Sequence, residues 1–357
     1  MHNWSSYETM GYAALNATTP LVPFSFERRA LRRNDVAIEI LWSGVCHSDL
    51  HQTRDDWKEW GATVYPCVPG HEIIGRVSEV GSEVSRYQVG QMVAVGTIVD
   101  SCQECDQCRR HEEQMCREFP TVTYNGRDRI SGEITYGGYA KHIVVREEFV
   151  LNLPEELDPS RAAPLLCAGI TVYSPLRTWN VGPSSRVGVI GIGGLGHLAV
   201  RLAEALGATV TVITRSAAKA QEAHELGAKH VLLSTSAEDM QRAGSSFDVI
   251  IDTIPTRHDL SAYVQLLDIE GALVIVGNLG DMDGFSTLPL ILGRRRITGS
   301  PSGGIAQTQE MLNFCAQKGV YPECEIIPIQ QINQAFERME RGEVKYRFVI
   351  DMASLSA

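Results

Sequence analysis

The chain of 357 residues lacks any run of about 18 consecutive apolar residues, the length that a membrane-spanning helix needs. Its most apolar stretch, from Val187 to Val200, is interrupted by five glycines and by His197. Positive charge is also scarce, since 32 Lys and Arg residues stand against 43 Asp and Glu residues and the formal net charge is −11. Nucleic acids and anionic membranes bind basic surfaces. We therefore expect neither a nucleic acid nor a membrane among the partners of this protein.

The amino-terminal sequence lacks the pattern of a secretory signal. MHNWSSYETM contains neither a basic segment nor an apolar one. Internal repeats and low-complexity segments are also missing. We therefore expect a cytoplasmic protein, in which the nine cysteines are thiols or metal ligands rather than disulfides.

Two patterns of apolar residues divide the chain. Up to about residue 156, short apolar strands alternate with Gly and Pro turns, which predicts an antiparallel, barrel-like domain. From 157 to 298, apolar strand runs alternate with helical stretches, which predicts a doubly wound α/β domain with a parallel sheet. After 298 the pattern returns to one helix and short strands, so we expect residues 299–357 to rejoin the first domain.

A glycine-rich hexamer opens the helix of a complete β-α-β unit. The sequence Gly191-Ile192-Gly193-Gly194-Leu195-Gly196 follows the strand RVGVI and precedes the helical stretch HLAVRLAEALGA. Glycines there allow a sharp turn and a close approach to a pyrophosphate, whose charge meets the helix amino terminus. A glycine-rich turn without a ligand is the alternative, but the β-α-β context favours a dinucleotide site.

The end of the second strand of this unit predicts which dinucleotide binds. NAD enzymes usually place Asp or Glu there to bind the ribose hydroxyls. No acidic residue lies between Glu204 and Glu222. The strand is instead followed by hydroxyl and cationic side chains, at Thr214, Arg215, Ser216 and Lys219. These groups suit a 2′-phosphate and predict NADP(H), although Arg215 as a simple surface charge is the alternative.

Four closely spaced cysteines form the most specific motif of the sequence. Cys102, Cys105, Cys108 and Cys116 fall within a lobe at about residues 100–118. Four thiolates close a tetrahedral zinc site with no open position, which indicates a structural role. Spacing alone also permits an iron–sulfur cluster, and a chance group of free thiols is a third interpretation.

Three further residues could form a second metal site with an open position. Cys46, His71 and Cys167 lie far apart in the sequence, so spacing does not show that they meet. Two thiolates and one imidazole would leave the fourth zinc position free for water or a substrate oxygen. Buried thiols and a core histidine are the alternative interpretation.

The segments around these residues resemble the zinc-dependent medium-chain alcohol dehydrogenases. The resemblance rests on CHSDLHQ, on GHEIIGRVSEVGSEV, on the four-cysteine lobe, on CAGITVY and on GIGGLG, in that family's order. Within the family, CHSD, CAGITVYSPL and GIGGLGHLAV are similar to the cinnamyl alcohol dehydrogenase branch, including its bacterial aldehyde reductases. The resemblance implies a GroES-like catalytic domain, a Rossmann domain and an NADP-dependent interconversion of primary alcohols and aldehydes.

The resemblance also implies a role for individual residues. Cys46, His71 and Cys167 would bind a catalytic zinc, and the four clustered cysteines a structural zinc, giving two zinc ions per chain. The catalytic residues would be Ser48 and His51, which form a proton relay, and Glu72, which lies behind the metal. The zinc ion would act as the Lewis acid. Asp49 would orient His71. The cofactor contacts would come from His47, Thr171, Gly191, Gly193, Gly194, Leu195, Gly196, Thr214, Arg215, Ser216 and Lys219.

This sequence departs from the plant members of the branch around the expected substrate pocket. Those members place large aromatic residues where this chain has Val122 and Pro301, and the stretch between His51 and His71 is longer here, with Trp57 and Trp60 in it. We therefore do not expect cinnamaldehyde to be the native substrate. Trp57 and Trp60 either line the pocket or serve packing and the surface.

Two other functions are alternatives to a zinc-dependent alcohol dehydrogenase. A zinc-less quinone or enoyl reductase shares the fold but would not need Cys46, His71, Cys167 and Ser48 together. A non-enzymatic NADPH-binding protein would show a broken zinc or relay residue, and none is broken.

The resemblance implies a homodimer or a tetramer of dimers, paired through the edge strand of the nucleotide domain, for which ALVIVGN at 272–278 is the predicted strand.

Overall fold

A computed structural model describes residues 6–278, 280–282 and 284–355. The chain divides into two compact units. The first unit consists of Met1–Cys167 with Gly304–Ala357, and the second unit is Ala168–Gly303. The domain limits at 156/157 and 298/299 stay predictions, and the two units are described separately below. No helix within the described ranges combines the length and the apolar composition that a transmembrane span requires.

The amino-terminal part of the first unit consists mainly of strands. Its strands and helices are β1 (Tyr7–Ala13), β2 (Val22–Arg28), β3 (Asp35–Val45), α1 (His47–Thr53), β4 (Ile73–Val80), β5 (Met92–Val95), β6 (Ile98–Asp100), β7 (Thr121–Val122), β8 (His142–Arg146), β9 (Leu151–Asn152) and α2 (Pro159–Ala162). The strands β1 and β2 form one antiparallel pair, and β6 and β7 form another. Long β3, with its many buried apolar residues, pairs with both β4 and β8.

The second unit is a six-stranded parallel sheet with helical connections. It contains α3 (Ala168–Thr178), β10 (Arg186–Ile190), α4 (Gly196–Ala205), β11 (Thr209–Thr214), α5 (Ala220–Glu225), β12 (His230–Leu233), α6 (Ala237–Arg242), β13 (Phe247–Asp252), α7 (Ser261–Val264), β14 (Leu267–Ile275), α8 (Leu288–Gly293) and β15 (Arg296–Gly299). The strand order is β12-β11-β10-β13-β14-β15, and every pair is parallel. This doubly wound sheet confirms the predicted α/β fold class.

The edge strand of this sheet differs from the prediction. The segment ALVIVGN begins within β14, and β14 pairs with β13 on one side and with β15 on the other. Its backbone groups are therefore already used inside the sheet. The edge next to β14 is instead β15, a short strand of sequence RITG that pairs only with β14 among the described residues.

The carboxyl-terminal segment completes the first unit. It contains α9 (Ile305–Lys318), β16 (Cys324–Pro328), α10 (Ile332–Glu340) and β17 (Arg347–Asp351). The strand β17 pairs antiparallel with β3, and the resulting sheet has the order β16-β17-β3-β4-β5-β9, with β8 added on β3. Its pairs are antiparallel except β16 with β17. This mainly antiparallel sheet agrees with the expected GroES-like domain.

Each unit has its own hydrophobic core. In the first unit the core lies between the strands and includes Ile38, Val77, Phe149 and Phe348, all nearly inaccessible to solvent. In the second unit, side chains such as Ile250 and Leu273 pack on the sheet. Burial of apolar surface on this scale fixes the strand register, because a slip by one residue would turn the apolar side chains outward.

Candidate metal centres and dinucleotide site

Sheet register brings the residues of the first cluster together. Cys46 directly follows β3 and caps α1, while His71 and Glu72 directly precede β4. Because Ser43 of β3 lies opposite Ile73 of β4, the end of one strand meets the start of the other. The backbone N–H of Gly44 donates to the carbonyl of Glu72 over 2.8 Å, which fixes this junction.

Cys167 reaches the same place from a different part of the chain. It ends a short 3₁₀ turn at Ala163–Leu166 that packs against β3, β4 and β17. The ligand atoms of Cys46, His71, Glu72 and Cys167 all lie within 4.8 Å of one another. The two sulfur atoms of Cys46 and Cys167 are 3.9 Å apart. The structure therefore brings together the three residues that spacing alone could not connect.

Asp49 holds the imidazole of His71 in one orientation. The Oδ1 atom of Asp49 lies 3.0 Å from Nδ1 of His71 and also accepts the backbone N–H of Gly70 at 3.0 Å. Its Oδ2 atom accepts the N–H of Cys46 at 2.9 Å and the hydroxyl of Tyr139 at 3.1 Å. Asp49 is fully buried. Because Nδ1–H donates to a carboxylate, Nε2 of His71 is free to bind a metal.

Glu72 is a buried carboxylate with an arginine partner that the sequence analysis missed. Its Oε1 atom pairs with Nη2 of Arg347, and both side chains are buried. Its Oε2 atom has no hydrogen-bond partner among the described residues. Burial raises the pKa of Glu72 to about 7, against the opposing effect of Arg347. A Cβ on Gly44 would lie 1.9 Å from Oε2, so glycine is needed there.

The donor set of this cluster fits zinc. Thiolate and imidazole are preferred zinc ligands, and sulfurs bound at about 2.3 Å in a tetrahedron lie about 3.8 Å apart. The observed separation of 3.9 Å between the sulfurs matches that geometry. The hydrogen bond from Cys167 and the nearby His71 and Arg347 hold the pKa of Cys46 well below its usual range. One thiolate is thus favoured by the protein itself.

The four-cysteine lobe forms a second cluster. The Sγ atoms of Cys102, Cys105, Cys108 and Cys116 all lie within 4.8 Å of one another. Cys108 is 3.8 Å from Cys102 and 3.5 Å from Cys105, sulfur to sulfur. Backbone N–H groups of Cys105 and Cys108 point at the sulfurs of Cys102 and Cys105. These separations fit four sulfurs around a single ion better than the wider frame of a multi-iron cluster.

The predicted relay residues lie on the helix that starts at the first cluster. Ser48 and His51 are three positions apart on α1, so they share a face of the helix. Nδ1 of His51 lies 2.8 Å from Oδ2 of Asp56, and both side chains are partly exposed. Sequence analysis missed Asp56, because nothing in the run RDD distinguishes it before the turn after α1 is formed.

The two tryptophans follow His51 outward. The ring of Trp57 is centred 5.6 Å from His51, and Trp60 lies 6.4 Å from Trp57. Trp60 is 73% exposed. Of the two departures from the plant sequences, Val122 packs against the core of the first unit, whereas Pro301 is exposed in the second. A role for either tryptophan in substrate binding remains a prediction.

The glycine turn of the second unit has little room for side chains at two of its positions. It connects β10 to α4, and Gly191 has a φ of +88°, which disfavours any other residue. A Cβ on Gly196 would lie 2.2 Å from the carbonyl oxygen of Gly191, whereas a Cβ on Gly193 would meet nothing within 4 Å. The first and last glycines are thus needed for the turn itself, and the middle one leaves open space.

The predicted 2′-phosphate residues follow β11. Thr214 is buried and its hydroxyl accepts the backbone N–H of Ser216 at 3.2 Å, while Arg215 is exposed. Nζ of Lys219 donates to the carbonyl of Ile192 in the glycine turn at 3.3 Å. The structure therefore connects the two predicted cofactor motifs. Thr171 is buried in α3 of the second unit and His47 begins α1 of the first, and their cofactor contacts remain predictions.

Comparisons with known proteins cover nearly the whole chain. The family model for the alcohol dehydrogenase GroES-like domain matches residues 32–155, and the model for zinc-binding dehydrogenases matches 194–317. NADP-dependent alcohol dehydrogenase C 1 of Mycolicibacterium smegmatis is 50% identical over 96% of this chain and 98% of its own length. Aldehyde reductase YahK of Escherichia coli is 49% identical over the same shares. A cinnamyl alcohol dehydrogenase structure from Sorghum bicolor matches with a TM-score of 0.92 at 41% identity, over 97% of this chain and 98% of that one.

Proposed function

Because this chain belongs to the zinc-dependent medium-chain alcohol dehydrogenases, in their cinnamyl alcohol dehydrogenase-like branch, we propose that it interconverts primary alcohols and aldehydes with NADP(H). The carrying observation is the meeting of Cys46, His71 and Cys167 within 4.8 Å beside the buried Glu72. Three zinc ligands of this kind leave a coordination position for the substrate oxygen. The substrate is a small molecule.

The residues of the first unit divide the chemical work. Zinc bound to Cys46, His71 and Cys167 supplies Lewis acidity toward the substrate oxygen, and bound NADP(H) carries the hydride. Asp49 keeps the proton of His71 on Nδ1 and so reserves Nε2 for the metal. Arg347 forms a buried ion pair with Glu72 and balances the charge of that carboxylate. Ser48 exchanges a proton with the substrate oxygen.

The proton then leaves along α1. Nδ1–H of His51 donates to Asp56, which leaves Nε2 as the ring atom that takes up a proton. Asp56 is half exposed, so the pair ends at solvent. Ser48, His51 and Asp56 therefore form the proposed exit path of the proton in alcohol oxidation, and its entry path in aldehyde reduction.

NADP(H) is the proposed dinucleotide, held by the second unit. The glycine turn and the amino terminus of α4 receive the pyrophosphate. Arg215, Ser216 and Lys219 bind the 2′-phosphate, because guanidinium, hydroxyl and ammonium groups suit a dianion and a carboxylate there would repel it. The supporting observation is that Lys219 already bridges the two motifs through Ile192.

We further propose a homodimer, or a tetramer of dimers, in the cytoplasm. The support is the edge strand β15 together with exposed apolar side chains on α8, the helix that precedes it in the chain. Ile291 and Leu292 are 69% and 76% exposed, and Ile269 and Leu288 add to the same surface. Unpaired strand edges and contiguous apolar patches are commonly covered in oligomers.

Metal content and a substrate panel test the function together. Elemental analysis of purified protein should give about two zinc ions per chain, and aliphatic and aromatic aldehydes should be reduced with NADPH. A zinc-less quinone or enoyl reductase would give no zinc at the first cluster and would reduce activated double bonds instead. A non-enzymatic NADPH-binding protein would bind the dinucleotide but leave every aldehyde and alcohol unchanged.

A further inference from the structure

A carboxylate is buried at the carboxyl edge of the parallel sheet. Asp252 is the last residue of β13 and is fully buried. It lies opposite Ile190 of β10 and Ile275 of β14, in the middle of the sheet. Its Oδ1 atom accepts the N–H of Ile254 at 3.2 Å. A carboxylate in such a place is costly unless its charge is balanced.

His258 supplies that balance. Its Nε2 atom lies 3.0 Å from Oδ2 of Asp252. The two atoms face each other at ion-pair distance rather than in an aligned hydrogen bond, and neither has a hydrogen-bond partner elsewhere among the described residues. Nδ1 of His258 lies 2.8 Å from the carbonyl oxygen of Thr256. Because a carbonyl only accepts, Nδ1 carries a proton, and the contact between Nε2 and Oδ2 is attractive only when one of these two atoms also carries a proton.

An aromatic ring packs against the histidine of this pair. The ring of Tyr263 packs edge-on to His258, with the ring centroids 5.8 Å apart. Burial raises the pKa of Tyr263. The charge of Asp259 adds to this rise, and the charge of Arg215 opposes it. The carboxylate of Asp259 accepts hydrogen bonds from the backbone N–H and the hydroxyl of Ser261. Burial raises the pKa of Asp252, and the neighbouring His258 opposes that rise.

The same segment also touches the glycine turn. The hydroxyl of Thr253 donates to the carbonyl of Ile190 at 2.7 Å. A Cβ on Gly191 or on Gly196 would lie 3.3 Å or 3.1 Å from that hydroxyl oxygen. The segment 252–258 thus connects the glycine turn to the ring of Tyr263. Ligands of doubly wound sheets bind at this carboxyl edge.

We propose that His258 is a positioning residue for NADP(H): its pairing with Asp252 fixes segment 253–258 beside the glycine turn and so prepares the binding surface for the adenosine half of the dinucleotide. The inference rests on the proposed use of NADP(H). No group of the pair takes part in the chemistry. The pair therefore controls dinucleotide affinity and leaves the rate at saturating dinucleotide unchanged.

The first test compares two histidines of the same unit. In His258→Gln, the Kd for NADPH from fluorescence titration and the KM for NADPH should both rise about five- to fiftyfold, which is the effect of leaving a buried charge unpaired. The kcat at saturating NADPH should change less than about twofold. His224→Gln is the matched control, because Nδ1 of His224 also lies 2.8 Å from a backbone carbonyl, at Ala228, but on an exposed side chain.

The second test uses the conservative variant Asp252→Asn. An asparagine amide donates to the neutral Nε2 atom, so the contact no longer needs a shared proton. Asp252→Asn should therefore keep the Kd for NADPH within about threefold of wild type. Asp252→Ala removes the contact and should raise this Kd about as much as His258→Gln does.

The outcomes separate the inference from the proposed function. If wild type does not bind NADPH, the proposed function fails and the inference fails with it. If wild type binds NADPH while folded His258→Gln binds it equally well, or no worse than His224→Gln, the inference alone is overturned. If His258→Gln does not fold, the variants of Asp252 decide: a folded Asp252→Ala protein with the wild-type Kd for NADPH overturns the positioning role.

Discussion

The two sulfur clusters of the first unit hold their ligand atoms at similar spacing but are assembled differently. The four-cysteine cluster draws all its ligands from residues 102–116, and backbone N–H groups of the same loop point at its sulfurs. The other cluster draws Cys46, His71 and Cys167 from three distant segments. It also contains a buried carboxylate and a buried guanidinium, at Glu72 and Arg347.

This difference indicates different functions for the two clusters. A local loop that supplies four sulfurs closes its site and stabilises the lobe around it. A cluster with three ligands, an unsatisfied carboxylate oxygen and buried charges has a larger cost in folding free energy, which is typical of a site that performs chemistry. Both clusters should bind zinc, but they should respond differently to the same kind of substitution.

The largest effect is expected from removal of a ligand of the first cluster. Cys46→Ala should lower kcat at least about a thousandfold, because the loss of the Lewis acid removes several kcal/mol of transition-state stabilisation. Circular dichroism should remain that of a folded protein. Cys315→Ala is the control, since Cys315 is a buried thiol outside both clusters and its turnover should stay near wild type. A folded Cys46→Ala protein with near-normal kcat would refute the assignment.

The second prediction compares the stability that each cluster gains from the ion pair beside it. Arg347→Met leaves Glu72 buried and unpaired, so the free energy of unfolding should fall by about 3–5 kcal/mol. Arg117→Met removes the partner of Asp106 beside the four-cysteine lobe, where both side chains are largely exposed. That change should leave the free energy of unfolding close to that of wild type, because solvent screens an exposed ion pair. Urea denaturation of both variants measures the contrast, and equal losses would contradict the distinction between the clusters.

Loss of one ligand from the four-cysteine cluster should mainly reduce stability. Cys105→Ser should lower the free energy of unfolding by about 2–4 kcal/mol and the Tm by about 5–10 °C, because metal binding contributes to folding of the lobe. The zinc content should fall by one ion per chain, while kcat of the folded fraction stays close to wild type. One zinc lost with an unchanged melting curve would count against a structural role.

A smaller change in free energy than those three is expected at the cofactor residues that follow β11 in the second unit. Wild type should prefer NADPH, and Arg215→Asp should weaken NADPH about ten- to a hundredfold, since a charged hydrogen bond to phosphate contributes roughly 1.5–3 kcal/mol. The measurement is kcat/KM for NADPH and NADH in both proteins. A wild type that uses NADH equally well would show that the residues after β11 were misinterpreted. An unchanged ratio in the variant would direct attention to Ser216 and Lys219.

Sequence analysis predicted the parts of the molecule that are encoded locally. The parallel sheet followed from apolar strand runs, and the glycine turn followed from its place between β10 and α4. The four cysteines were recognisable because all of them lie within one loop. Cys46, His71 and Cys167 required a family resemblance, because no local pattern states that the ends of β3 and β4 and the turn before α3 come together.

Other features depend on pairing that the sequence does not display. Arg347 meets Glu72 because β17 pairs with β3. Phe348 lies opposite Val45 in this antiparallel pair, so Arg347 comes next to Cys46, which follows β3. A charged residue at the start of the apolar strand RFVID was the only available signal. The edge strand was wrong for a similar reason: ALVIVGN has the composition of a paired strand, but its neighbour β15 is too short and polar to be recognised as the true edge.

Asp49 has a consequence for how the protein acquires its metal. Its carboxylate is bonded to two backbone N–H groups, one imidazole and one phenol, so it ties together α1, the turn before β4 and the segment at Tyr139. These are bonds between protein groups, and they persist while the metal comes and goes. After chelation, zinc should therefore return to Cys46, His71 and Cys167 at a rate proportional to its concentration, as in a second-order encounter with a rigid receptor. The four-cysteine loop is held by its own ion pair, Arg117 with Asp106, which is largely exposed, so its reloading should show a concentration-independent phase set by the closing of the loop.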